Sequence, residues 1–371
     1  MGTIELTAAI PLPRSPRPIV IIGAGGIVND AHLPAYRKAG FPVAGIFDID
    51  QEKARRTAAR FHVPTVYPSL EAAVEAGRVD VVYDVALPAS ALPQVLPALP
   101  DGATVLMQKP MGESLSEART ILEICRSKSL NASVNFQLRY APFVLAARSL
   151  IEQGAIGELV GLRVDVAVYT PWHLWSFLER VSCMEVKYHS IHYLDLVRSF
   201  VGDPLGVHAR VTNHPLAPNM DGTCSAMILV YRDDLAVTVQ TNHFFRFGLT
   251  HQQSSITWEG ARGAIKATMG LLMNYPEGVP DRFEFFAEGV EVIGPEVFDS
   301  PTGEGWREAR FEGSWFPDAF VGTMAAAQRA AEGSGPRQPT HVEDAYRTMA
   351  LVEAACRSSR QGPPPIDYET P

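Results

Sequence analysis

The sequence predicts an α/β protein: a doubly wound parallel sheet in the first half and a separate, sheet-rich domain in the second. Three observations carry that expectation. Short apolar strands alternate with helical segments between Ile19 and Gln137, a glycine-rich turn joins the first strand to the first helix, and period-two alternation returns from Leu159. A chain of 371 residues exceeds one small core and suits two domains. The patterning divides it at 16–138 and 139–362, with flexible tails at 1–15 and 363–371.

Each element of the first half has a local reason. Ile19–Ile22 (IVII) is wholly apolar, as a strand buried on both faces must be, and GAGGIVNDAHLPAYRKAG opens a helix directly after it. Val43–Asp48 (VAGIFD) is the next strand, followed by QEKARRTAARF with helical composition. Val79–Pro88 (VDVVYDVALP) is the third, and prolines interrupt the helical stretch after it. ATVLMQ, the helix SLSEARTILEICRSKS and ASVNFQ complete the series. Right-handed crossovers then make the strands parallel, and ligands sit beyond their carboxyl ends.

That placement gives two groups of residues chemical meaning. Gly23-Ala24-Gly25 lies between strand and helix, where the first glycine allows the tight turn and Gly25 lets the backbone approach a pyrophosphate at the helix N-terminus. Gly26 and Ile27 begin that helix; Val28 stands at the third glycine position. Asp48 ends the second strand about 20 residues on, where a carboxylate bonds ribose hydroxyls and repels a 2′-phosphate. NAD is therefore favoured over NADP, with Arg55 and Arg56 nearby as the feature that speaks for NADP. Pro88, after the third strand, joins the cofactor-binding candidates. Lys109, in LMQKPMGES, stands at the carboxyl end of a central strand, at the mouth of the crevice. Asn135, Gln137 and Arg139 follow the last strand and, on strand alternation, point one way; Arg139 suits a pair with an interdomain carboxylate.

Composition excludes other classes. The chain is 46% hydrophobic and 20% charged with no bilayer-length apolar run, which argues against a membrane protein. A net charge of −9 without a basic cluster argues against nucleic acid as the main partner. Cys125, Cys183, Cys224 and Cys356 lack CxxC or zinc spacing, and the first residues lack an export signal, so a reducing cytoplasm is expected.

In the second half, LVGLRVDVAVYT alternates, and SAMILVYRDDLAVTVQTNHFF reads as two strands around Asp233-Asp234. QSSITWEG, GAIKATMG, DRFEFFAEG and VEVIG are further short strands. Met184–Pro204 is the informative helix. At 3.6-residue spacing Glu185, Tyr188, His189, His192 and Ser199 share one side, and a tyrosine–histidine stripe is unusual for a solvent face. Histidine changes protonation near neutral pH and suits a general base, although a core histidine is the competing reading, more so for His189. Glu185, His189 and His192 have workable metal spacing, yet a base beside an ammonium can move a proton without a metal, so none is expected. Trp172, His173 and Trp175 can roof a sugar ring or form a hydrophobic plug. Asn242 and His243 are weaker candidates.

The segments VIIGAGGIVNDAHLPAY, GIFDID, VDVVYDVALP, VLMQKPMGESLSEA, HSIHYLDLVRSFVGDP and HVEDAYRTMALVEAACRSSRQG, in this order along nearly the full length, resemble the Gfo/Idh/MocA oxidoreductases. The resemblance implies an N-terminal Rossmann domain, a C-terminal α/β domain on a large, open, mainly antiparallel sheet, and assembly as a dimer or tetramer. It implies hydride transfer between a sugar or cyclitol and a nicotinamide cofactor. Gln108-Lys109-Pro110 stands for the family's Glu-Lys-Pro, with Lys109 matching the lysine between nicotinamide and substrate; neutral Gln108 removes one counter-charge. His192 matches the catalytic histidine, and Tyr188 occupies the position of the family's aspartate. The expected site thus has Lys109, His192 and Tyr188 at the chemistry. Gly23, Gly25, Gly26, Ile27, Asp48, Pro88, Gln108 and Lys109 face the cofactor, and Lys109, Gln137, Trp172, Trp175, Tyr188, His189 and His192 face the substrate. Tyr188 is expected to position substrate, or to donate a proton if Lys109 lowers its pKa; Glu185 is the alternative partner for a histidine. A redox-neutral enzyme with resident NAD acting on a glycoside, and a non-catalytic sugar or nucleotide sensor, are the rival readings.

Overall fold

A computed structural model describes residues 2–77, 80–172, 176–275, 277–294, 296–333 and 337–362. The first strand, β1 (Gly2–Glu5), is followed by β2 (Ile19–Ile22), β3 (Val43–Phe47), β4 (Val82–Val85), β5 (Thr104–Met107) and β6 (Asn131–Val134). Strands β2 to β6 form a parallel sheet in the order β3-β2-β4-β5-β6. Every residue of β2, β4 and β5 is buried, which is why these strands read as apolar runs rather than alternations. Each fully buried Ile or Val contributes on the order of 1.5–3 kcal/mol.

The crossovers are α1 (Leu33–Ala39), α2 (Gln51–Phe61), α3 (Leu70–Ala76), α4 (Leu92–Val95) and α5 (Leu115–Ser127). Asp50 caps α2 by accepting from the backbone N–H of Glu52 and Lys53, and Ser69 and Ser114 cap α3 and α5 in the same way. Prolines 93 and 97 cut the crossover from β4 to β5 into a four-residue helix flanked by tighter turns. Two helices begin with a wide i→i+5 turn: Val28–His32 before α1, and Val186–Ser190 before α7 (Ile191–Val201).

The second domain follows α6 (Pro142–Glu152) and is built on nine strands. They are β7 (Leu159–Ala167), β8 (Gly206–Thr212), β9 (Cys224–Val230), β10 (Ala236–Asn242), β11 (Gln253–Gly260), β12 (Gly263–Thr268), β13 (Arg282–Ala287), β15 (Val297–Asp299) and β16 (Arg307–Ala309), with β14 (Val290–Ile293) outside this sheet. Their order is β15-β16-β13-β12-β11-β7-β10-β9-β8, antiparallel except for β7–β10. β9 and β10 meet at the turn expected at Asp233-Asp234. The chain closes with α8 (Ala319–Ala331) and α9 (Val342–Gln361). Ser358 and Ser359 of α9 accept the backbone N–H groups of Ala209 and Val211, covering the edge strand β8.

Four expectations need correction. Residues 2–5 are not a loose arm: β1 pairs in parallel with β14, and Leu6 is buried behind it. The domain division is crossed by the returning chain, because Phe320 and Met324 of α8 share a core with Ile19, Ile21 and Tyr36. A Cβ at Gly322 would lie 2.4 Å from the Tyr140 ring, so glycine lets α8 approach this closely. The cysteines are not all free thiols; Cys183 and Cys356 form a disulfide across 173 residues of sequence, joining the start of the Met184–Pro204 segment to α9. Residues 137–140 form a turn rather than a strand continuation, so Asn135, Gln137 and Arg139 diverge. Among the described residues no helix is long and apolar enough to cross a membrane.

Candidate functional site

A cavity of about 310 Å³ lies between the two domains. From the first domain it is lined by Gly26, Ile27, Asp30, Lys109 and Gln137. Its second-domain wall includes Thr170, Trp172, Tyr188, His189 and His192, and Leu271, Leu272, Tyr275, Trp315 and Phe316 close it.

The glycine turn fits a dinucleotide. Gly23 has φ +109° and a Cβ there would stand 2.4 Å from the Ala86 carbonyl oxygen, so the turn can press against β4 only as glycine. A Cβ at Gly25 would meet nothing within 4 Å, which leaves open space beside the backbone where a pyrophosphate approaches. Asp48, at the end of β3, accepts from the N–H of Ala24 at 2.7 Å and of Asp50 at 2.9 Å. Asn29 donates to the carbonyls of Ala24 and Gly25 and to Thr57, tying the turn to α2. Pro88 is exposed after β4 and does not line the cavity.

Beneath Lys109 runs a buried network that sequence reasoning missed. The Gln108 amide nitrogen donates to His32 Nε2 at 2.7 Å, which places the ring hydrogen on Nδ1, donating to Asp84 at 2.7 Å. Tyr36 also donates to Asp84, and Asn135 reaches both His32 and Thr323. The Gln108 side-chain oxygen accepts the Lys109 N–H. Each end of this amide thus makes one bond to protein, so Gln108 supports Lys109 from below.

Lys109 Nζ donates to the Tyr188 carbonyl oxygen at 2.7 Å, joining the two domains across the cavity. Burial lowers its pKa to about 8. Burial, then Lys109, holds His192 well below its ordinary value, and burial, then His243, His192 and Lys109, does so for His189. Both imidazoles are therefore neutral near pH 7. His192 Nδ1 is buried without a partner among the described residues, and Phe136 and Trp315 approach its ring edge-on. Tyr188 is pushed up to about 12 by burial and by Glu113 and Glu117. The lysine thus does not lower the tyrosine's pKa, the condition set for proton donation: it binds the backbone of Tyr188, and the phenol stays protonated.

The wide turn explains the other departures on this helix. A five-residue turn carries Glu185 away from the His192 face, where its carboxylate accepts from Ser190 at 2.7 and 2.9 Å and lies 3.7 Å from His243. Glu185 therefore does not orient His192. Ser199 is remote, accepting from Arg148. Trp172 is buried, lines the cavity and packs edge-on against His189 and His243, combining roof and plug. Trp175 and His173 lie outside the described residues. Arg139 makes the interdomain pair expected of it, binding Asp195 at 2.6 and 2.7 Å and Asp344 at 2.6 Å. Trp315, Phe316, Leu271, Leu272 and Tyr275 carried no sequence signal, since they come from connections without a motif.

Residues 17–136 match the family model of the oxidoreductase family with the NAD-binding Rossmann fold, and residues 144–270 match the Gfo/Idh/MocA C-terminal domain. The chain is 31% identical to 1,5-anhydro-D-fructose reductase of Ensifer adhaerens, with 92% of this chain and 96% of the reductase covered. It is 24% identical to D-apiose dehydrogenase of Paraburkholderia graminis, over 92% of this chain and 87% of that protein. In fold it is similar to levoglucosan dehydrogenase in complex with NADH and levoglucosan, with a TM-score of 0.75 at 18% identity over 93% of this chain and 97% of that one.

Proposed function

This chain belongs to the Gfo/Idh/MocA family of NAD-binding oxidoreductases, and from that premise we propose that its interdomain cavity transfers a hydride between a hydroxyl-bearing carbon of a sugar or cyclitol and nicotinamide. The observation that carries this reading is the convergence of Lys109 from one domain with Tyr188 and His192 from the other on one cavity that also includes Gly26 and Ile27.

Bound nicotinamide supplies the hydride acceptor. The neutral imidazole of His192 takes the proton of the reacting hydroxyl. Of its three N–H donors, Lys109 Nζ spends one on the Tyr188 carbonyl, leaving the others to stabilise negative charge growing on the substrate oxygen. The protonated Tyr188 hydroxyl and the Gln137 amide hold further hydroxyls, and the faces of Trp172, Trp315 and Phe316 cover C–H surface and exclude water. The Asp48 carboxylate at the end of β3 favours NAD, since it would repel a 2′-phosphate.

The test is a spectrophotometric screen of sugars, cyclitols and glycosides with NAD and with NADP, beside Lys109→Ala and His192→Ala. On an active substrate each variant should lose about 10²–10⁴-fold in kcat/KM, with higher rates on NAD. Wild-type rates in both variants would sink the assignment.

A further inference from the structure

We propose that Glu185, His189 and His243 form a binding site for a divalent first-row transition ion, Zn²⁺ by donor preference, set into the second-domain wall of the cavity. One ring nitrogen of each histidine and one Glu185 carboxylate oxygen all lie within 4.8 Å of one another. The donors come from two elements: Glu185 immediately precedes the wide turn before α7 and His189 lies within it, and His243 directly follows β10.

The hydrogen bonding of the trio is incomplete in a way a cation would complete. Glu185 and His243 are fully buried. Both carboxylate oxygens of Glu185 are served by the single hydroxyl of Ser190, far short of what a buried carboxylate requires. His243 Nδ1 is engaged by Thr170 Oγ1 at 2.8 Å, which leaves Nε2 to the cluster; that atom is buried and has no hydrogen-bond partner among the described residues. The same holds for His189 Nδ1. The imidazoles pack with ring centroids 4.0 Å apart at 61°, and His243 Nε2 stands 3.7 Å from Glu185, too far for a hydrogen bond. Tetrahedral zinc with bonds near 2.0–2.1 Å sets its donors about 3.3 Å apart, so closure needs side-chain shifts of about 1.5 Å at most.

The surroundings resemble the outer support of a metal centre. Thr170 is tied to His243 twice, by its hydroxyl and by its backbone N–H to the His243 carbonyl at 2.9 Å, and so orients the ring; with the Nδ1 hydrogen donated to that hydroxyl, Nε2 presents its lone pair to the cluster. Ser190 joins Glu185 to Ser225 and Thr241. Three protein donors leave a fourth position, and the ligand His189 and its neighbour Thr170 both line the cavity. Water or a substrate hydroxyl is the chemistry that completes it. The ion site itself stands independently of the hydride-transfer reading.

The test uses the tag-free full chain, stripped with chelator and titrated with Co²⁺, then with Zn²⁺ as competitor. We expect one equivalent of Co²⁺ to bind with the visible ligand-field bands of a four-coordinate site and to be displaced by Zn²⁺. Glu185→Gln and His243→Asn, checked for native circular dichroism and nucleotide binding, should each weaken binding by about 100-fold or more, and Thr170→Val by about 10-fold. No saturable cobalt spectrum in the wild-type chain, or equal affinity in both ligand variants, overturns the proposal. The wild-type titration decides it even if the variants fail to fold, and none of these readouts depends on turnover.

Discussion

The two walls of the cavity handle buried polar groups in opposite ways. Under the first-domain wall, His32, Gln108, Asn135 and Thr323 are linked in one hydrogen-bonded chain that ends on Asp84, with the outer oxygen of Asp84 the one atom of this group left over. In the second-domain wall, His189, His192, His243 and Trp315 each keep a buried nitrogen without a hydrogen-bond partner among the described residues. A network that satisfies itself holds its geometry before any ligand arrives, whereas orphaned donors and acceptors are costly until something binds them. One wall is built to present Lys109 at a fixed point; the other is built to be completed. Substitutions should therefore destabilise the first wall and be tolerated by the second.

The largest expected effect is in the first wall. Asp84→Ala strands His32 and Tyr36 together in the core and should cost about 2–6 kcal/mol in urea unfolding, at about 1–3 kcal/mol for each buried polar group left without its partner. Tyr36→Phe, which removes one donor to the same carboxylate, should cost about 1–2 kcal/mol. If Asp84→Ala were as stable as the wild type, the network would not be what holds this wall.

An opposite sign is expected where the walls meet. Burial depresses the Lys109 pKa from 10.5 to about 8, so at neutral pH the folded chain bears the cost of an ammonium it has partly desolvated. Lys109→Met should slow hydride transfer by about 10²–10⁴-fold yet raise Tm by roughly 2–4 °C at pH 7. Below pH 8 both folded and unfolded states carry the charge and the methionine advantage is full; it shrinks as pH rises from 8 to 10.5, where the unfolded wild type alone still binds the proton. A lower Tm for the variant at pH 7 would mean that the bond to Tyr188 outweighs desolvation.

Legibility in the sequence divides along the same line. The parallel sheet, its glycine turn and Lys109 were readable because each depends on local order: an apolar run, a turn, a helix start. Lys109, Gln137, Trp172, Tyr188, His189 and His192 do line one cavity. Two wide turns defeated the rest. A 3.6-residue period puts Glu185 beside His192, whereas the five-residue turn at Val186–Ser190 swings it to Ser190 and His243. The turn at Val28–His32 likewise precedes the buried contact of His32 with Asp84, so a residue that reads as ordinary helix becomes the centre of a core network. Trp315 and Phe316 reach the cavity from a late connection with no spacing to betray them.

The finest test of the division is the pH dependence of kcat/KM, since Lys109 and His192 sit in the same cavity with both pKa values shifted down. If Lys109 acts as the ammonium donor to the developing alkoxide, alcohol oxidation falls above about pH 8, approaching tenfold per unit as the proton is lost. If instead the neutral amine were the base, the rate would climb through that same point. If His192 is the base it must be neutral to accept a proton, and burial then places the acid limb below 6.5. A plateau bounded on the alkaline side near 8 therefore assigns the donor to one domain and the base to the other. A rate that rises through 8 would move the base to Lys109 and leave His192 as part of the wall that waits for a ligand.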